Sequence, residues 1–526
     1  MSITPLNVLL AAAPPLVVLV LMVGFRWGGS KAGPAGWIVA LVLAILNFGA
    51  GAELLFYAHI RSLVLTADVV YIVWAALLLY LIVERSGALQ VIADWFTNLT
   101  SDSLLRILLL GWVFTSFLQG VGGFGVPVAI VAPLLVGLGL SPLAAVVIPS
   151  VGHAWAVTFG SLGSSFIAML GVTGLTASYL GPPAALLLGV AAFGCGLMVA
   201  HAYDGWRGVR HSLPAVLFLG AVMALGQYIL VAAGLWNIGA TGGALAGLLA
   251  GLWVTRWAFY RRHDGETPPA APAPETQTRR APSFREAIAG YIVLVILAVL
   301  ITGVEPVKAL LGRVSLNVSI PQVETSLGWV TEATPALGLR VLAHTGAVLV
   351  YSSLIAYALY RSRGYIEAGA MPSLLRGVRK RGVKPAIGIL SMVAMATVMA
   401  NAGMTRTLAE WMSQAVPADL YAFVAAAIGA LGSFMTGSNT NSNAVFSTLQ
   451  MDTALLLGLS VPMVLATQTA AAALFSLLAP AKIIVGASTV GMSGDEGTVL
   501  RHLLLYGGLL LLLVALLAFA LLLLGY

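Results

Sequence analysis

Eight consecutive residues, Thr436-Gly437-Ser438-Asn439-Thr440-Asn441-Ser442-Asn443, interrupt mainly apolar chain that runs from Leu420 to Met435 and from Ala444 to Leu457. Seven of the eight carry a hydroxyl or an amide. In a bilayer each unpaired polar group costs several kcal/mol, so irregular polar backbone at membrane depth survives only where protein or a water-filled cavity surrounds it. The other reading is a polar loop outside the membrane. A second copy of the pattern favours the first.

Ala93-Asp94-Trp95-Phe96 matches Ala409-Glu410-Trp411-Met412, Ser116-Phe117-Leu118 matches Ser433-Phe434-Met435, and Gly139-Leu140-Ser141 matches Gly458-Leu459-Ser460. The order is kept and the offset grows only from 316 to 319 residues, as expected of an internal duplication. It lays Gln119-Gly120-Val121-Gly122-Gly123-Phe124-Gly125-Val126-Pro127 opposite the polar run. Interrupted hydrophobic segments at corresponding positions of two halves point to a transporter's binding site.

With 60% hydrophobic and 9% charged residues, the chain cannot cover a soluble surface and reads as a polytopic membrane protein. Its net charge of +7 comes from Lys and Arg in short gaps between apolar spans, which is an orientation signal rather than a nucleic-acid signal. The single Cys195 allows no disulfide within the chain and no Cys-based metal cluster. Met1-Ser2-Ile3-Thr4-Pro5 lacks a basic leader, so the first apolar segment is expected to be a retained helix.

Spans of about 20 residues are expected at Leu6 to Phe25, Gly36 to Tyr57, Leu63 to Val83, Ser141 to Thr173, Pro183 to Ala202, Leu213 to Leu235, Gly239 to Phe259, Ala287 to Ile301, Val341 to Tyr360, Ala386 to Ala400, Ser460 to Ser488 (broken near Pro480) and Leu503 to Leu524. Leu104 to Gly139 and Leu420 to Leu457 are expected to enter and turn back. Each is fed by an amphipathic interfacial helix, Ser86 to Ser103 and Met404 to Asp419. The result is an all-α polytopic membrane protein of about twelve transmembrane helices and two re-entrant hairpins.

Basic gaps belong on the cytoplasmic side. The richest are Asp204 to His211, Arg256 to Arg285, and Arg361 to Lys384 with five Arg and two Lys. With all three inside, Leu63 to Val83 runs inward and its duplicate Ala386 to Ala400 runs outward, so the halves are inverted copies. The expected organisation is a first inverted repeat over residues 1–203, a connecting helix pair over 204–260, a Pro-rich cytoplasmic linker over 261–285 and a second inverted repeat over 286–526. The loop from Gly303 to Arg340 and Tyr526 fall outside. Glu53 and Asp68 are expected at the outer rim, and Trp155 in packing.

Phe117-Leu118-Gln119-Gly120-Val121-Gly122-Gly123-Phe124-Gly125-Val126-Pro127-Val128-Ala129-Ile130, Leu135-Val136-Gly137-Leu138-Gly139, Asp204-Gly205-Trp206-Arg207-Gly208 and Phe434-Met435 with the run through Ala444 resemble the L-lactate permease family of bacterial 2-hydroxymonocarboxylate transporters. The resemblance implies proton-coupled uptake of L-lactate, D-lactate, glycolate and similar acids across the plasma membrane. Ser438-Asn439-Thr440 also looks like the tip motif of the wider ion-transporter class that works as an elevator. Against the family's pattern, Gln119 stands for a Glu, Asn439 for an Asp, and Ala479-Pro480-Ala481 for a Ser-Pro-Gln.

A small carboxylate needs donors and positive potential. A helix N-terminus supplies both, and helices restarting near Val126 and Ala444 would aim two such ends at one point. Gly122, Gly123 and Gly125 permit close backbone approach, and Pro127 suits a first helical turn. Thr436, Ser438, Asn439, Thr440, Ser442 and Asn443 either cap buried helix ends or reach the substrate's carboxylate and 2-hydroxyl. Gln119 shares the first tip. His153, expected to begin the second limb of its interrupted span, is a site group or a satisfied buried imidazole. Lys482 touches substrate or snorkels to the cytoplasmic surface. Gln119 and Asn439 cannot titrate, which leaves His153 and Lys482 as candidates; His153 is expected to carry the proton and Lys482, where it reaches the site, to help hold the carboxylate.

No Gly-x-x-x-x-Gly-Lys-Ser/Thr loop occurs for an ATP-driven pump. No paired carboxylates or His-rich metal set marks an enzyme within the spans. The expected partners are a small carboxylate, protons and the bilayer, without nucleic acid, metal or cofactor, and a homodimer is compatible with the reading. The competing reading is an uncoupled or exchange-type carrier of another organic anion.

Overall fold

Proline, glycine and small hydroxyl residues set most helix ends in this chain. The computed structural model describes residues 4–25, 27–123, 125–261, 281–492 and 495–526. Thr4 caps α1 (Pro5–Leu19), which loosens into a π turn over Val20–Gly24. Then come α2 (Gly29–Asn47) and α3 (Ala52–Arg85), separated by a turn in which Gly49 takes φ +69. The short α4 (Ala88–Thr97) leads to α5 (Ser103–Leu108), whose first turn is closed by the Asp102 carboxylate accepting from Leu105 N at 2.8 Å. A π turn joins α5 to α6 (Thr115–Val121), and the chain reverses into α7 (Val126–Gly137).

Helices α8 (Pro142–Gly152) and α9 (Ser164–Thr173) are two limbs of a broken span bent by 40°. The long α10 (Ala177–Ala232) breaks at Asp204 and Gly205, where Gly205 has φ +58, and α11 (Gly239–Val254) and α12 (Ala258–Arg261) follow. The second half opens on α13 (Phe284–Ala298), started by a Ser283/Glu286 capping box, and passes through α14 (Glu305–Leu311) to α15 (Thr345–Ser362) and α16 (Met371–Asn401). Then come α17 (Met404–Ala415), α18 (Tyr421–Thr436), α19 (Asn439–Leu457), α20 (Val461–Phe475), α21 (Pro480–Thr489) and α22 (Glu496–Leu523). Among the described residues ten helices are long and apolar enough to cross a membrane, or up to twelve if each bent pair counts as one span.

Small residues let the central helices approach closely. Gly33 of α2 lies against Ser391 of α16 and Gly36 against Met395, while Gly382 of α16 makes room for the Trp74 ring of α3. Helices α2, α3, α13, α15 and α16 thereby pack in sequence as one group. A second group gathers the two reversing segments and the two broken spans: α18 packs on α20, α19 on α9 and α20, and α10 on α8, α11 and α20.

Charged gaps collect at one end of the molecule. Arg85 pairs with Glu367 at 3.2 Å, Arg363 with Glu286 at 3.6 Å and Arg381 with Glu84 at 3.7 Å, while Trp95 stacks on Phe284. Asp102 meets His211 at 2.9 Å, and His211 O accepts from Tyr260 OH. At the opposite end, Ser326 N donates to Gly49 O at 2.9 Å and Trp329 Nε1 to Ala400 O at 3.2 Å, so the loop after α14 straps the far ends of α2, α3 and α16 together.

Several boundaries differ from expectation. The loop from Gly303 to Arg340 departs from an all-α chain: β1 (Ser315–Ile320) pairs antiparallel with β4 (Thr334–Arg340), and β2 (Val323–Glu324) with β3 (Val330–Thr331). The expected spans Gly36 to Tyr57 and Leu63 to Val83 divide instead at Phe48–Gly51, because His59 and Arg61 fit within the 34-residue α3. His59 does so by holding Leu55 O and the Trp37 indole. Most of the basic gap Arg361 to Lys384 is the first half of α16, since Arg and Lys are good helix formers. The Pro-rich linker lies mainly outside the described residues, and its expected end at residue 285 is two residues too far, since Ser283 already caps α13. Asp68 is not a free rim residue: its carboxylate sits 2.6 Å from His344 Nε2. Trp155 is fully buried and donates to Ser116 Oγ at 2.9 Å, a packing role.

Candidate functional site

The first reversal turns on backbone that only glycine adopts without strain: Gly123 has φ +59 and Gly125 φ +84. Val126 then starts α7 with Pro127 in its first turn, and no side chain caps its free N–H groups. A methyl on Gly123 would overlap Ser161 Oγ, so this tip rests directly on the break between α8 and α9. There Ser161 and Leu162 both hold positive φ, +47 and +52, a strained pair of non-glycine residues.

The second reversal is sharper than expected. Gly437 takes φ +69, Ser438 is extended and caps Asn441 N, and α19 restarts at Asn439 rather than near Ala444. Once Ser438 supplies the cap, the Asn and Thr residues behind it form the first helical turn. Thr436 Oγ1 sits 2.8 Å from Gly432 O and 3.0 Å from Ser438 O, bracing the turn. Asn439 Nδ2 donates to Thr158 Oγ1 at 3.1 Å, and Thr440 Oγ1 meets Ser165 Oγ at 3.0 Å. Asn443 Nδ2 bridges Ser165 O at 2.9 Å and Thr469 Oγ1 at 2.8 Å, whereas Ser442 Oγ links Gly429 O at 3.0 Å to Gln468 Nε2 at 3.1 Å. The second tip is thus tied to both broken spans by buried hydrogen bonds.

The span from α20 to α21 breaks over Ser476–Ala479, and α21 restarts at Pro480, again without a side-chain cap. Two residues on, Lys482 does not snorkel to the charged end. Its Nζ donates to Ser476 Oγ at 2.9 Å, and its stem lies beside Gly125 of the first tip.

These breaks surround a cavity of about 590 Å³. Gln119, Gly125, Ser438, Asn439, Thr440 and Lys482 line it, joined by Val126, Gly437, Ser161, Ser164 and Ser165. The first turns of four helices, α7, α9, α19 and α21, therefore face one space. Each contributes roughly half a positive charge beside the Lys482 ammonium. Tyr80 and Glu84 of α3, with Arg381 and Pro385 of α16, line the side toward the charged end. Gly122, Gly123, Thr436, Ser442, Asn443 and His153 are outside the lining: Thr436, Ser442 and Asn443 hold the second tip in shape, and Gly122 and Gly123 shape the first.

Three lining serines, Ser161, Ser164 and Ser165, escaped the sequence reading. Their signal is the Gly160-Ser161-Leu162-Gly163-Ser164-Ser165 cluster inside an apolar span, the same kind of interruption that marks the two tips. Glu84 and Arg381 carry no such signal, since both sit on regular helix and reach the cavity only through tertiary packing.

The polar groups at the tips have a defined sense. Thr158 Oγ1 lies 3.2 Å from both Thr469 O and Thr469 Oγ1, and its lone pair receives Asn439 Nδ2. Asn439 Oδ1 and Gln119 Oε1 are left as buried acceptors with no partner. His153 is fully buried at the end of α8, not at the start of the second limb as expected, because short 3-10 turns over Ala154–Ala156 and Ser161–Gly163 precede α9 at Ser164. Its Nδ1 lies 2.6 Å from Pro149 O and must donate to it, leaving Nε2 as a buried acceptor without a partner. No group of three or more His, Cys, Asp or Glu able to hold a metal ion occurs among the described residues.

A family model described as L-lactate permease matches residues 7–525. The L-lactate permease of Bacillus subtilis (strain 168) is 28% identical, covering 98% of this chain and 96% of that one. The L-lactate permease of Salmonella typhimurium (strain LT2) is 26% identical, and the glycolate permease GlcA of Escherichia coli (strain K12) 27%, each comparison covering 94% of this chain and 92% of the relative. Among solved structures, the crystal structure of the Alcanivorax borkumensis YdaH transporter is similar with a TM-score of 0.47 and 16% identity, covering 86% of this chain and 85% of that chain.

Proposed function

The chain belongs to the L-lactate permease family, and from that premise we propose that it is a secondary transporter of small 2-hydroxymonocarboxylates, L-lactate, D-lactate and glycolate among them, moved with protons across the plasma membrane. The observation that carries this reading is Lys482 set among four helix first turns in one cavity. Free N–H groups and the ammonium would hold the carboxylate. Asn439 Oδ1 and Gln119 Oε1 both need a donor, and one of them would take the single hydrogen of the 2-hydroxyl. The basic end, and with it the mouth between α3 and α16, would face the cytoplasm. The two halves would work as inverted repeats, the group that carries both tips sliding as an elevator against α2, α3, α13, α15 and α16.

Coupling would run through His153. Its Nε2 is a buried acceptor without a partner, the one ring position left to take a proton. Binding of the proton there together with substrate in the cavity would couple the two. The test is uphill lactate uptake driven by an imposed inward proton gradient, in the parent and in His153→Gln. Accumulation by the parent and its loss in His153→Gln, with exchange retained, is the expected result. A parent that exchanges lactate yet never accumulates it is the uncoupled carrier instead.

A further inference from the structure

We infer that Glu84 is a specificity-determining residue that keeps dicarboxylates out of the cavity by occupying Arg381. The inference rests on the carboxylate-carrier reading and deepens it. At about 590 Å³ the cavity is far larger than a two- or three-carbon acid, so volume alone excludes little. Besides Lys482, which lies with the tips, the lining holds a second cation, Arg381. Arg381 is what a second carboxylate would seek. Across the mouth, however, Glu84 Oε2 lies 3.7 Å from Arg381 Nη2, and Glu84 is the sole carboxylate among the described lining residues.

Glu84 is itself held in place. The Tyr80 hydroxyl, on a nearly buried ring one helical turn back, donates to Glu84 Oε1, and the Arg381 guanidinium sits 5.6 Å from the centre of that ring. The half-exposed guanidinium therefore faces the Glu84 carboxylate on one side and an aromatic ring on another. A monocarboxylate, with its charge spent at the tips, meets a mouth of no net charge. A dicarboxylate meets Glu84 with its second charge and finds Arg381 already engaged. Selectivity here comes from a repulsive element beside an attractive one.

The test uses the full-length protein in proteoliposomes and malate, a 2-hydroxy acid with a second carboxylate, as competitor of labelled lactate exchange. In Glu84→Gln the amide keeps the shape and the Tyr80 hydrogen bond while releasing Arg381. Malate is then expected to compete roughly tenfold more strongly than in the parent, with the lactate KM changed by less than about twofold. Adding Arg381→Gln should reverse the gain. Glu84→Ala frees Arg381 equally and decides the matter should Glu84→Gln not assemble. Equal malate competition in parent and variants overturns the filter. So does a Glu84→Gln that exchanges lactate but no longer accumulates it with a proton gradient, since Glu84 would then be a coupling group. A parent that exchanges no lactate defeats the carrier reading itself, whereas lactate exchange with unaltered malate sensitivity defeats only the filter.

Discussion

Asn439 Nδ2 donates to Thr158 Oγ1 at 3.1 Å, joining two residues 281 positions apart. The bond ties the tip of the second hairpin to the stretch between α8 and α9, and it fixes which way the Asn439 amide points. With its nitrogen committed, Asn439 presents Oδ1 as a bare acceptor.

Asn439→Ala removes both the tie and the acceptor, and Ser438→Ala removes the cap of α19. Hydrogen bonds of this kind contribute about 1 to 3 kcal/mol. Lactate uptake at subsaturating concentration is expected to fall roughly five- to hundredfold in either variant. Alanine for Pro268 or Pro272 in the linker should leave it unchanged. Near-normal uptake in both tip variants would move the site elsewhere.

Gly122 and Gly123 are neighbours with different demands. Gly122 has φ −109, and a methyl there would meet nothing closer than 3.5 Å, so Gly122→Ala should transport within about twofold of the parent. Gly123 combines φ +59 with direct contact on Ser161, so Gly123→Ala adds left-handed strain of about 1 to 2 kcal/mol to a steric overlap. Uptake by Gly123→Ala is expected to drop more than tenfold at equal protein in the membrane, and equal behaviour of the two variants would contradict the tip geometry.

The breaks were legible in the sequence because glycine and polar residues inside apolar chain have few physical excuses. Gly125 at the head of α7 and Gly437 before α19 follow from that logic. The restart of α19 was misplaced because the run from Asn439 to Asn443 reads as loop by propensity, yet buried partners such as Thr158, Ser165 and Thr469 satisfy those side chains and let the backbone stay helical. Lys482 was ambiguous for a related reason: a lysine near a helix start can reach solvent or a neighbour, and only the placement of Ser476 and Gly125 decides it. Glu84 and Arg381 could not be read at all, since ordinary charges on long helices acquire a role only when two helices distant in sequence form one wall.

The charged end and the strap loop make opposite predictions for labelling. Arg379 on α16 and Glu324 in the strap are both exposed, and the native Cys195 is buried, so a single introduced cysteine reports alone. In intact cells an impermeant maleimide is expected to modify Glu324→Cys and to spare Arg379→Cys until the membrane is opened. The reverse pattern would invert the assignment of the basic end to the cytoplasm.

The most direct test of the carrier is counterflow. Purified protein in liposomes loaded with unlabelled L-lactate is given a trace of labelled L-lactate outside, with no ion gradient. A secondary carrier must exchange one for the other, so the label should rise inside to a transient overshoot well above its final equilibrium level. Label that enters no faster than into protein-free liposomes, whatever they contain, would contradict the account.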